Sequence, residues 1–206
     1  MARRTLAVAA YSVDGVFQRS VIDGIRAEAL RHGFDVRIDE VGYGDSTYAP
    51  DDMDGVLVIA NALSSDALRG LRQRGTPVAL VSHEAAIPGI PSIRHDNAEG
   101  MARLMRHLVV TCQRRHFVYL RGYPGQRDSE ERETAFRRAI MRHHLPPAIY
   151  LTGDFDPEVA THSLSRFLDR RTVPIDALVA ADYLMAAASL TVLRVYGLHV
   201  PADVSA

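Results

Sequence analysis

The sequence predicts an α/β protein of two doubly wound parallel-sheet lobes, and three observations predict it. Short runs that are apolar at every position, such as Leu6-Ala7-Val8-Ala9-Ala10 and Val56-Leu57-Val58-Ile59-Ala60, read as strands buried on both faces. Segments with helical spacing of apolar residues alternate with these runs without a break, the pattern of parallel strands joined by crossover helices. The alternation then restarts after the polar Gln113-Arg114-Arg115-His116. Two units, 1–113 and 114–206, are therefore expected, each wound by right-handed crossovers.

The elements follow in order. After the first strand, Phe17, Val21, Ile25 and Ala29 recur every fourth residue and Gly33 closes a helix. Phe34, Val36 and Ile38 alternate with polar residues, giving a strand with one wetter face. Residues 42–52 are loop, rich in Gly, Asp, Ser and Pro. The strand at 56–60 leads to a helix from Ser65 with Leu68 and Leu71 inward, then a strand over 77–81. A short strand at Ser92-Ile93-Arg94 precedes Asp96, which caps a helix with Glu99 three residues on; Met101, Leu104, Met105 and Leu108 mark its buried stripe, and Cys112 reads as a core thiol. In the second unit Phe117-Val118-Tyr119-Leu120 is a strand. A helix begins near Ser129 with Ala135, Phe136, Ala139 and Ile140 inward. Residues 148–151 form a strand, Asp156-Pro157-Glu158 starts a helix, residues 177–181 form the last strand, and a helix follows from Asp182.

Composition narrows the function classes. The 206 residues are 47% hydrophobic and 24% charged, an ordinary globular profile. A net charge of -1 supplies no bulk field for nucleic acid, and all basic residues are arginine. The single cysteine excludes an internal disulfide and a multi-cysteine zinc site. The apolar start breaks at Tyr11-Ser12-Val13-Asp14, too early for a signal peptide, and no run is long enough for a membrane span, so a cytoplasmic protein is expected. No G-x-G-x-x-G follows the first strand, no G-x-S-x-G elbow occurs, and a phosphate-binding G-x-x-x-x-G-K-[ST] is impossible without lysine. His143-His144 lacks partners at ligand spacing and reads as a helix end. No enzyme activity, metal or cofactor is expected.

In open parallel sheets ligands bind beyond the carboxyl ends of the strands, where helix N-termini also point. The candidates there are Ser12, Asp14, Phe17 and Gln18 after the first strand, Asn61 after the third, and His83 after the fourth. In the second unit they are Tyr123, Arg132 on the first turn of the next helix, and Asp182. Rings, amides, carboxylates and an arginine suit a polar small molecule bearing hydroxyls. Five of them have a plainer reading: Phe17 as a core residue, Asn61 and Asp182 as caps, His83 as a solvated loop residue, and Arg132 as an ion-pair partner of Asp128 one turn away.

These residues sit within a wider pattern that resembles the effector domain of the lactose/galactose repressor (LacI/GalR) family. Asp54-Gly55-Val56-Leu57-Val58 is similar to the family's third strand, and Gly75-Thr76-Pro77-Val78 to its entry into the fourth. Asp96-Asn97 with Gly100 and His107-Leu108 resembles its D-N-x-x-G … H-L helix. Gly122 with Arg132, Ala135-Phe136 and Ala139 resembles G … R-x-x-A/G-F-x-x-A. The run from Asp176 to Asp182 with Met185-Ala186, and Gly197-Leu198 with the run from Val200 to Ser205, complete the series in order. The resemblance implies two periplasmic-binding-protein-like lobes of type I around a hinge, a sugar-like or other polar metabolite in the cleft, and a homodimer. It implies contact with DNA only through a helix-turn-helix head, which the first strand so near Met1 leaves no room for in this chain.

Two departures qualify it. Ala181 stands where the family usually has Asn before Asp182. The sequence also stops at Ala206, so the C-terminal part of the fold is expected to be missing, as in a fragment or a natural truncation. The stretch Leu120-Arg121-Gly122 … Glu131-Arg132 … Phe136-Arg137 also resembles repressor-type sensors fused to diguanylate cyclases or histidine kinases. A flavodoxin-like or nucleotide-processing enzyme is the remaining alternative.

Overall fold

The computed structural model describes residues 4–85 and 87–206. The chain divides into two compact units, Met1–His95 and Asp96–Ala206.

The first unit holds β1 (Arg4–Ala10), α1 (Val16–Arg31), β2 (Phe34–Glu40), β3 (Gly55–Ile59), α2 (Ser65–Gln73), β4 (Val78–Val81) and β5 (Ser92–Ile93). Its sheet is parallel throughout, in the order β2-β1-β3-β4-β5. The period-two pleat of β1 explains its all-apolar sequence. Ala7 and Ala9 pack with Val56, Val58, Leu68 and Leu71 on one face, and Val8 and Ala10 with Ile22 and Ile59 on the other. Both faces are covered, so neither tolerates a polar side chain. β2 is the edge, and its outer face is polar: Arg37 pairs with Asp39 at 2.8 Å, and the Tyr48 hydroxyl donates to Asp39 at 2.5 Å. Ser64 caps α2 by accepting the Ala67 N–H.

The second unit holds α3 (Asn97–Arg106), β6 (Phe117–Arg121), α4 (Arg127–Arg142), β7 (Ile149–Thr152), α5 (Pro157–Asp169), β8 (Ala177–Ala180) and α6 (Tyr183–Val195). Its sheet is parallel, in the order β7-β6-β8. Its core joins Phe117, Tyr119 and Phe136 to Leu164, Leu178 and Leu193, with the Tyr119 and Phe136 rings stacked at 4.6 Å. The Asp176 carboxylate accepts the backbone N–H groups of Arg115 and His116, and Leu178 N donates to the Ser205 carbonyl, fastening the start of β6 and the last residues to β8.

Several expectations shift. The division falls at His95/Asp96, ahead of the break read at 113/114, because Met101, Met105 and Leu108 of the α3 segment pack into the core of the second sheet. Leu104, expected in the buried stripe, is exposed. The helix continues past Arg106 as a π-helical turn over His107–Thr111, which rotates the residues beyond it. Cys112 is consequently half-buried, its sulfur 3.4 Å from His107 Nε2, and is not a core thiol. α4 begins at Arg127, two residues before the expected start at Ser129, because Gln126 caps it by accepting the Ser129 N–H at 2.8 Å.

Candidate functional site

In each sheet the winding reverses beside the first strand of the unit, at β1/β3 and at β6/β8. These are the topological switch points where loops part and leave a crevice at the carboxyl edge. Several non-glycine residues there hold left-handed backbone: Ala60 and Asn61 after β3, Ser82 after β4, and Asp154 and Phe155 after β7. Such conformations cost of the order of 1–3 kcal/mol each and persist only where the surroundings enforce them.

At the edge of the first unit, rings and amides gather. Tyr11 meets Tyr43 edge-on at 5.6 Å, and Gln18 Nε2 donates to the Tyr11 hydroxyl at 3.3 Å. Phe17 is half-buried; it packs against the α1 side of the sheet and lies 5.6 Å from the His95 ring. Ser82 Oγ lies 3.3 Å from His95 Nδ1. Ser12 is half-buried in the loop. Asp14 is outlying: its side chain is 91% exposed and its contact is a 3.5 Å pair with Arg19. Asn61 does bracing work, since its Oδ1 accepts the Glu84 N–H at 2.7 Å and its carbonyl accepts the Gly44 N–H.

His83 proves to be buried, not solvated. Its Nε2 lies 2.9 Å from the Leu63 carbonyl and Nδ1 accepts the Ala85 N–H at 3.0 Å. A carbonyl only accepts, so the proton sits on Nε2 and both nitrogens are engaged within the loop. Burial pushes its pKa below the ordinary value, against the opposing pull of the Leu63 carbonyl and Glu84. This histidine shapes the loop and has no ring nitrogen left to offer a ligand.

At the edge of the second unit, Arg132 is the organising charge. Its Nε donates to Asn97 Oδ1 at 2.8 Å and Nη1 to the Ala181 carbonyl at 2.7 Å. Asp128 forms the ion pair expected from spacing, 4.0 Å from Nη2, too long for a hydrogen bond. Two anchors fix the plane of the guanidinium while Nη2 keeps its donors. Asn97 is the hub: it is 6% exposed, and its Nδ2 donates to Asp128 at 2.7 Å and to Glu131 at 2.9 Å. Asp182 caps α6, accepting the Met185 N–H at 2.9 Å. Burial pushes its carboxyl pKa up, while the Met185 N–H and Arg132 pull the other way. Tyr123 is exposed and meets Phe155 edge-on at 6.0 Å. The Phe155 ring lies against Gly122, where a Cβ would occupy the ring's space.

Asn97, Arg132, Asp182 and the Ala181 carbonyl are thus gathered at one edge, whereas Asp14, Asn61 and His83 do other work in theirs. Sequence reasoning missed Asn97, Tyr43 and His95 as site residues. Asn97 had a signal, its place beside the cap Asp96 on a helix facing Arg132; Tyr43 and His95 lie in stretches without periodicity. Among the described residues, no group of three or more His, Cys, Asp or Glu gathers to hold a metal, and no helix is long and apolar enough to cross a membrane.

The family of periplasmic binding proteins and sugar-binding domains of the LacI family matches residues 2–206. The chain belongs to this family. The HTH-type transcriptional regulator CelR of Thermobifida fusca is 27% identical over 157 residues, covering 74% of this chain and 46% of CelR, so the chain spans about half the length of that relative. A LacI transcriptional regulator from a Rhodococcus species has the same fold, with a TM-score of 0.81, 24% identity, and 98% of this chain against 76% of that one. A LacI family regulator from Enterococcus faecium, solved with bound ribose, superposes at 0.83 with 18% identity over 98% and 76% of the two chains. Ala181, which stands where the resemblance leads one to expect Asn, contributes through its backbone carbonyl, the atom that anchors Arg132.

Proposed function

We propose that this chain is the effector-sensing domain of a bacterial LacI-type transcriptional regulator and binds a sugar-like metabolite at the carboxyl ends of its strands, where Arg132 stands. The observation that carries the reading is Arg132, held in plane by Asn97 and the Ala181 carbonyl with Nη2 donors to spare. A fixed planar donor pair beside a capping carboxylate fits neighbouring hydroxyls of a sugar, and exposed Tyr123 supplies a ring for its apolar face. The ribose of the Enterococcus faecium regulator supports this ligand class. The domain transforms nothing: binding favours one conformation of a cytoplasmic regulator, and only differential affinity between states carries the signal. DNA is met through a separate head, in keeping with the net charge of -1. α6 leaves Tyr183, Leu184, Leu190 and Val195 exposed, which supports pairing with a second copy.

Calorimetry against pentoses, hexoses and disaccharides tests the proposal. One sugar is expected to bind with one-to-one stoichiometry, and Arg132→Ala is expected to weaken it by ~1.5–3 kcal/mol, the range for a hydrogen bond to a charged group. A bound nucleotide in the purified protein would instead favour a flavodoxin-like role.

A further inference from the structure

A second feature lies away from the strand ends, between α3 and α4 of the second unit. A trough of about 530 Å³ runs between the two helices, within the range of roughly 300–1,000 Å³ typical of small-molecule sites. Ala102 of α3 and Ala135 and Ala139 of α4 line it, too small to fill the gap between the helices. Arg103 and Arg106 stand on one wall and Arg138 and Arg142 on the other, each pair one helical turn apart, with His143 at the end.

The arginines are set apart by what they do not touch. Elsewhere on α4, Arg127 pairs with Glu131 at 2.6 Å, Arg137 with Glu133 at 2.6 Å, and Arg132 is bound to Asn97. Among the described residues, none of the four trough arginines forms an ion pair or a side-chain hydrogen bond. The carboxylates at the trough are Asp96 and Glu99, at the N-terminal end of α3, and Asp96 is occupied in capping. Four guanidiniums thus face two carboxylates, and the excess lies at the far end. The helix dipole accounts for basic residues in a last turn, such as Arg106 and Arg142. It does not account for Arg138, a turn further in, nor for arginines on both walls of one gap.

We infer that this trough is a binding site for a small molecule carrying two or more phosphate groups, separate from the sugar site. Guanidinium forks match phosphate oxygens two at a time, and a polyanion between the walls relieves the repulsion among them. Exposed arginines retain their hydration, so the affinity is strongly dependent on salt.

The test is calorimetry of the chain with tripolyphosphate at low ionic strength. One-site saturable binding is expected, weakened at least tenfold in the double variant R103S/R138S. The variants R137S and R132A should bind within twofold of the parent, since Arg137 is already paired and Arg132 belongs to the sugar edge. Circular dichroism melts confirm that each variant is folded. Absence of saturable binding, or an equal loss in R137S, overturns the inference. So does tighter binding of a twenty-base-pair DNA duplex through the same arginines, which would make the trough a nucleic-acid surface. Loss of sugar binding alone in R132A would leave tripolyphosphate binding intact, so the two proposals fail separately.

Discussion

Asn97 concentrates the chemistry of the second unit in one side chain. It gives two N–H groups to Asp128 and Glu131 and accepts from Arg132, so it neutralises none of the charges but keeps them at working distances. Asn97→Ala is expected to cost ~1–3 kcal/mol in urea unfolding, because half-buried Asp128 and Glu131 lose their donor and Arg132 loses an acceptor, and to weaken sugar binding by releasing Arg132. Asn97→Asp places a third carboxylate beside two others, and its stability should partly recover as pH falls and that carboxyl is protonated. At His83 the sign is different. Burial holds its folded pKa below the ordinary 6.5, so between the two values the unfolded chain binds more protons. Its contribution is therefore complete above pH 6.5 and is lost as pH falls below it. Thermal melts from pH 8 to pH 5 should show this slope in the parent and a flatter one in His83→Ala. Asp182, whose carboxyl pKa is raised from 3.8, acts in a more acid window with the opposite sign.

At the scale of elements, caps separate structure from function. Asp156 accepts the Glu158 and Val159 N–H groups at the start of α5, and Asp182 does the same work for Met185 on α6. Replacing either by Ala should cost ~1 kcal/mol of stability. Asp182→Ala alone should also weaken sugar binding, whereas Asp182→Asn keeps the cap and reports the charge. Equal affinities in all three variants would reduce Asp182 to a cap. The elements themselves were largely legible, because a strand covered on both faces tolerates only apolar residues, as β1 and β3 display. What periodicity did not reveal were local departures of the hydrogen-bond ladder. The π-helical turn at His107–Thr111 leaves no mark in the apolar spacing, yet it turns Cys112 out of the core. The start of α4 depended on Gln126, a residue that caps here only because its side chain folds back onto Ser129 N–H.

For the whole molecule, the restart of the strand-helix alternation corresponds to a repeated winding: β2-β1-β3 in one unit and β7-β6-β8 in the other. The sequence showed that repetition but not the place of division, because α3 belongs by packing to the sheet that follows it and nothing in its own pattern says which sheet it covers. The site was legible to the same depth. Residues after strand ends were found, but whether each faces outward or braces its loop depends on partners far away in the chain, as Asn61 with Glu84 and His83 with Leu63 illustrate. A sugar that binds the folded chain should raise its unfolding free energy by about 2.7 kcal/mol at a hundredfold excess over Kd. The central claim is tested most directly by titrating a sugar panel into the parent and Arg132→Ala in one calorimetric series. A single saturating sugar is expected, with an affinity about tenfold or more lower in the variant; a parent that binds no sugar, or a variant that binds it equally well, would overturn the sugar-sensing role.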